Sequence, residues 1–230
     1  MGHQGLSEHV KQAKGQVIYE RIEQWRNQPL QGTFPYLFDD GIVLKRWWAT
    51  EVRNVSVMVA IAVNRERYRE IIGVAEGAKE DKSGWRSFLE HLKARGLRGV
   101  KLFISDKCMG LVESLGEYYP DARWQRCTVH FCRNVFTVVA KGNVREVAAM
   151  LKAIHARQNR EQALAKASYV QDKLREMKLS KAADIVSQGI EQTLKYMHFP
   201  DEHWRHIRTN NPLEPIMREI RRRTRVVGAF

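Results

Sequence analysis

The chain has 230 residues, 43% of them hydrophobic and 28% charged, and carries a formal net charge of +13. That length suits one substantial core, or a core with an added module, and the positive excess favours a polyanionic partner such as nucleic acid. No apolar run approaches eighteen residues, so no membrane span is expected; the N-terminal segment lacks a secretory core, and Cys108, Cys127 and Cys132 form no secreted framework, which points to a reducing cytoplasm.

In chain order, residues 1–34 read as a helical lead-in, with Val17, Ile18, Ile22 and Trp25 at helical spacing and Pro29 as the stop. Three strands are predicted next, over 36–45, 53–63 and 67–74; their short connections favour an antiparallel meander. The segment 83–96 places Trp85, Phe88, Leu89 and Leu92 on one helical face and ends at Gly96. Residues 100–106 (VKLFISD) then form a buried strand entered from a helix, which implies parallel pairing. A helix over 107–118 and a fifth strand within 122–131, closed by a turn, complete an α/β pattern of the order β-β-β-α-β-α-β. From 133 to 206 strand signals vanish; Val147, Leu151 and Ile154, then Ala163, Ala167 and Leu174, then Ala182, Val186 and Ile190 keep a helical period. This stretch reads as an all-helical insertion before one last helix within 207–230.

Several residues along this pattern could carry chemistry. Asp39 and Asp40 interrupt the first strand and fall on opposite faces; either one faces a pocket, or Asp-Gly marks a turn. Asp106 closes the fourth strand, where open α/β sheets collect ligands, and it could equally cap the helix that follows. Glu214 opens the last helix, either as a ligand or as the third residue of a capping box begun by Asn211 and Pro212. Glu219 competes as a ligand but has Arg223 four residues on, an ordinary surface pair. Arg221, Arg222, Arg223 and Arg225 are packed densely enough to suggest phosphate contacts, with a solvated helix as the other reading. Cys127, His130 and Cys132 supply at most three zinc ligands, with His155 or Cys108 unassigned as a fourth, so packing is the plainer use. Trp204, just before the last helix, reads as core cover rather than as a base-stacking platform.

Taken together, PYLFDDGIVLK (35–45), RYREIIGV (67–74), WRSFLEHLKARGLRGVKLFISDKCMGL (85–111), WQRCTVHFCRNV (124–135) and IRTNNPLEPIMREIRRRTRVVGAF (207–230) resemble the Mutator-type transposases of bacterial insertion sequences. The resemblance implies a ribonuclease-H-like core begun by 35–132, interrupted by the helical insertion 133–206 and completed by 207–230. It implies an Asp-Asp-Glu triad at Asp40, Asp106 and Glu214, holding two Mg²⁺ (or Mn²⁺) ions for strand cleavage and transfer on double-stranded DNA. Cys127 and His130 match a family motif to which no role is assigned, and Arg208, Arg218, Arg221, Arg222, Arg223 and Arg225 would meet DNA phosphates. Such a protein would work in the bacterial cytoplasm, on the nucleoid, with self-association left open.

The chain departs from the family pattern at Asp39, where an apolar residue is usual, and at Pro215, where a basic residue is usual. Family members commonly run longer, so the resemblance also suggests a piece lacking the N-terminal DNA-recognition region and the C-terminal end. An inactive remnant and a basic nucleic-acid-binding protein without catalysis are the competing expectations.

Overall fold

A computed structural model describes residues 8–48, 51–77 and 82–226. Its centre is a five-stranded mixed sheet. β1 (Tyr36–Trp48) and β2 (Glu51–Val63) are paired antiparallel from Tyr36 opposite Val63 to Trp48 opposite Glu51. β3 (Arg69–Gly77) adds antiparallel to β2, while β4 (Leu102–Ser105) and β5 (Arg123–Arg126) add in parallel on the other side of β1. The resulting order, β3-β2-β1-β4-β5, is a ribonuclease-H-like arrangement. The Asp-Gly pair at 40–41 makes no turn, because β1 runs straight through it in register with β2.

Alternation along β1 sends Leu37 and Asp39 to one face and Tyr36, Phe38, Asp40 and Ile42 to the other. The first face is covered by α2 (Lys82–Ala94) and α3 (Met109–Tyr118). Trp85, Phe88, Leu89 and Leu92 are all buried there, as the helical spacing predicts, together with Leu111 and Leu115. Gly73 on β3 allows the close approach: a Cβ there would stand 2.8 Å from Leu92 Cδ2. Any larger residue would make the Leu92 and Phe88 side chains give way.

The second face carries the helical stretch: α4 (Thr128–Phe136), α5 (Val144–His155), α6 (Arg160–Glu176), α7 (Ser180–Gly189) and α8 (Asp201–Ile207), with 3-10 turns at Ile190–Thr193 and Lys195–His198. Its buried residues form one hydrophobic cluster with Tyr36, Phe38, Leu102 and Ile104 of the sheet. Gln125, wholly buried on β5, fastens the two parts: its amide donates to the Thr193 carbonyl (2.9 Å) and accepts from the Tyr196 N–H (2.9 Å). α9 (Glu214–Val226) then returns against β1.

One expectation is revised. The fifth strand stops at Arg126, and 128–136 is helical. Thr128, Phe131 and Val135 are buried at helical spacing there, so the β-branched run folds as a helix once one face has a core to meet. In α1 (Glu8–Asn27), Val17, Ile18 and Ile22 are helical as expected but exposed. No helix among the described residues is long and apolar enough to cross a membrane.

Candidate active site

β1 outruns β4, since their parallel pairing ends at Phe38 opposite Ile104. This leaves Asp40 beyond the end of the neighbouring strand and places Asp106 just past the last residue of β4. Carboxyl ends of strands are where such sheets open a crevice. Asp106 does not cap α3, whose N-cap is Cys108; its Oδ1 accepts from the N–H of Lys107 at 2.7 Å. Its Oδ2 lies 3.9 Å from His130 Nδ1 on α4.

Asp40 is half-buried, and the Gly41 N–H donates to its Oδ1 at 3.0 Å. Burial is the main cause of a carboxyl pKa raised above its ordinary value, and Asp106 adds to it; His130, the Gly41 N–H and Arg221 oppose the rise. Asp40, Asp106, His130 and Arg221 therefore share one electrostatic neighbourhood.

His130 also lies beside Cys127. A hydrogen bond to Cys127 is the chief cause of a raised imidazole pKa, with Asp106 and Asp40 adding to it. Burial pushes the Cys127 thiol up, but His130 and the Asn210 N–H outweigh it, so its pKa is lowered. Behind Asp106, Arg126 is almost wholly buried and stacks 5.1 Å over the Phe131 ring. Gly189 leaves room for this stack, because a Cβ there would lie 2.8 Å from the Phe131 ring and 2.9 Å from Arg126 Nη1.

The segment leading into α9 is stitched to both carboxylate-bearing elements. The Thr128 N–H donates to the Arg208 carbonyl (3.0 Å), the Asn210 N–H to Cys127 Sγ (3.2 Å), and Asn210 Nδ2 to the Asp39 carbonyl (3.0 Å). The Cys127 N–H donates to the Ser105 carbonyl at 2.7 Å, which anchors α4 to the end of β4. Asn210 and Gln125 are key fastenings that sequence reasoning passes over. Asn210 sits beside Asn211 before a proline, where the local signal is that of a cap or a turn.

Glu214 is the first residue of α9, not its third, and its carboxylate accepts from Arg133 Nη2 at 3.3 Å rather than closing a capping box. Arg221, two turns on and on the same side of the helix, is the α9 group beside Asp40. Among the described residues no set of three or more His, Cys, Asp or Glu side chains stands close enough to hold a metal ion. Asp40 and Asp106 are thus brought together, whereas Glu214 is held at Arg133. Glu219 is engaged on the exposed side of α9 by Arg222 (2.7 Å) and Arg223 (2.7 Å), which brings its pKa down to about 2.

The other basic residues fall in different surroundings. Arg218 is exposed and makes no ion pair among the described residues. Arg208 lies beside Tyr196 and His155, under the helical stretch. The side chain of Arg225 lies outside the described residues, as does the stretch 227–230. Trp204 donates its indole N–H to the Phe199 carbonyl at 2.7 Å and packs on the core, the cover that its sequence position suggests.

Residues 2–230 match the family described as "Transposase, Mutator family". The chain is 37% identical over its whole length to the transposase for insertion sequence element IS1081 of Mycobacterium tuberculosis, of which it covers 55%. It is 34% identical over 92% of its length to the transposase for insertion sequence element ISRM5 of Rhizobium meliloti, covering 53% of that protein. The transposase for insertion sequence element IS256 in transposon Tn4001 of Staphylococcus aureus is 33% identical over 91% of the chain, which covers 54% of it. The chain thus spans about half the length of these curated relatives.

Proposed function

The chain belongs to the Mutator family of transposases, and from that premise we propose that it carries the catalytic core of a DNA transposase, cutting and joining strands at insertion-sequence ends. The observation that carries this reading is the meeting of Asp40 and Asp106 beyond the ends of adjacent strands, with His130 and Arg221 beside them. Double-stranded DNA is the partner, and Arg218 and Arg221 are the α9 arginines best placed to meet its phosphates. Arg222 and Arg223, paired with Glu219, would contribute after exchanging that partner.

The donor set suits a hard divalent cation. Two carboxylates in one neighbourhood raise the cost of charging both, and Mg²⁺ or Mn²⁺ removes that cost. Asp40 and Asp106 would hold the metal, with Glu214 as the third carboxylate once it leaves Arg133. When bound, two such ions supply an activated oxygen nucleophile and stabilise the leaving 3′-oxygen. The protein's own residues do the rest. Cys127 orients His130 toward Asp106, Asn210 fixes the approach of α9, and Arg221 places positive charge beside Asp40, where a phosphate would sit.

A metal-dependent strand-cleavage and strand-transfer assay on DNA carrying element ends tests this reading. The native chain should act, while Asp106→Asn and Glu214→Gln should not. Binding without chemistry in the native chain, unchanged by chelation, would replace the proposal with a basic nucleic-acid-binding role.

A further inference from the structure

A second basic site lies away from the paired carboxylates. A cavity of about 920 Å³ opens between the start of β1, the β2–β3 turn and α8. Arg65, Arg67, Arg69 and Lys101 stand on its walls; all four are exposed, and none makes an ion pair among the described residues. Among the described residues, Glu202 is the one acid that lines it. Its floor is aromatic: Tyr36, Phe38 and Phe199, with Tyr68 at the rim, 71% exposed.

The rim is a built turn. The Asn64 N–H donates to the Tyr68 carbonyl (3.0 Å), and Asn64 Oδ1 accepts from the Tyr68 N–H (2.9 Å). Asn64 Nδ2 donates to Glu70 at 2.6 Å, which occupies that acid; Glu66, at the tip, is exposed and does not line the cavity. Arg67 adopts φ 69°, a left-handed conformation that an arginine takes at a cost. Below, Tyr36 Oη and His203 Nδ1 are 2.7 Å apart, fixing the floor to α8. His206 lies near Arg205 and Arg69, so cations outnumber acids around the cavity.

A row of unpaired cations around a hollow with aromatic walls fits one class of ligand. Phosphates satisfy the arginines, and the Tyr68 ring offers a stacking surface that a paired, stacked base cannot reach but an unpaired one can. A fully paired duplex would use only the rim. From the unpaired Arg65, Arg67, Arg69 and Lys101 around the cavity beside the exposed Tyr68 ring, we infer that this cavity binds an unpaired stretch of DNA strand, with a base stacked on Tyr68. Tyr36 and Phe38 share a face of β1 with Asp40, and Phe38 is about 7 Å from it along the strand. The cavity itself opens at the start of that strand, beside Pro35 and Lys101, at the end of β1 and β4 away from Asp106. This inference rests on DNA being the partner named above.

Fluorescence anisotropy with labelled oligothymidylate, and with a duplex of equal length, tests it in the presence of a chelator. Tyr68→Ala should weaken single-strand binding roughly tenfold and leave duplex binding nearly unchanged, and Tyr68→Phe should restore it. The triple variant Arg65→Ala, Arg67→Ala, Arg69→Ala should reduce the single-strand salt slope by about two. Arg218→Ala with Arg221→Ala serves as an independent arm on α9. If the native chain binds neither probe, the inference and the DNA partner fail together. If the α9 variant alone weakens binding, the inference is overturned while the partner stands. If the cavity variants weaken single-strand binding but no strand is transferred by the native chain, the inference holds and the catalytic reading fails.

Discussion

Asp39 and Asp40 are neighbours in sequence but lie on opposite faces of the sheet, and the two faces treat a carboxyl group differently. Asp39 is fully buried against α2 and α3, and neither of its oxygens has a hydrogen-bond partner among the described residues. Burial, with Asp40 adding to it, pushes its pKa well above the usual range. Asp40 is half-buried at an open crevice, where a backbone N–H, His130 and Arg221 favour its charged form. A closed face can only bear the cost of an ionisable group, whereas an open one can use it. The helical side has its own enclosed group: His155 is half-buried, and desolvation, with Arg208 adding to it, lowers its pKa to about 4.

The largest expected effect separates the two aspartates. Asp40→Asn should lower strand transfer on the order of a thousandfold, and Asp39→Asn should stay within a few-fold of the native chain in the same gel assay. Equal losses would mean that the faces are not functionally distinct.

Next come Asp39 and His155, which should tilt stability in opposite directions. Native His155 holds its proton less tightly than the unfolded chain does. Its contribution is therefore present above about pH 6.5 and is lost as pH falls toward 4, by about 3 kcal/mol at most. Urea unfolding of His155→Phe should show a flatter acid limb. Asp39 works in the other sense. Its folded pKa is raised, so stability is lost as pH rises from the ordinary carboxyl range through the folded value. Asp39→Leu should remove that slope and raise neutral-pH stability by about 1–3 kcal/mol.

Smaller effects should follow at the fastenings. Asn210→Ala removes the bond to the Asp39 carbonyl and should cost about 1 kcal/mol in unfolding experiments. Glu219→Gln releases two exposed arginines and should leave the thermal midpoint where it was.

Much of this was legible because local signals and tertiary context agreed. The face of α2 follows directly from Trp85, Phe88, Leu89 and Leu92, since the sheet offers it a core. The same period in α1 gives a helix whose Val17, Ile18 and Ile22 remain exposed; periodicity identifies an apolar face but not what covers it. Cys127–Phe131 misleads because β-branched residues fit a short strand or a buried helical turn equally well, and only the cluster around Phe131 decides. At the candidate site, the alternation that separates Asp39 from Asp40 is readable from strand geometry alone. The pairing of Glu214 with Arg133 and the clamp at Asn210 join positions about 80 and 170 residues apart, and no local pattern encodes such contacts.

That separation has a consequence in time. β1 and β2 form a hairpin of adjacent segments, and such contacts close early. Arg221 reaches Asp40 only after the whole helical stretch has been made and folded. At roughly 5–20 residues added per second, a growing chain would spend on the order of five to twenty-five seconds with both aspartates present and α9 not yet complete. The basic helix is the last of the described elements to arrive, so a nascent chain would hold the two carboxylates long before it could bring that helix to them.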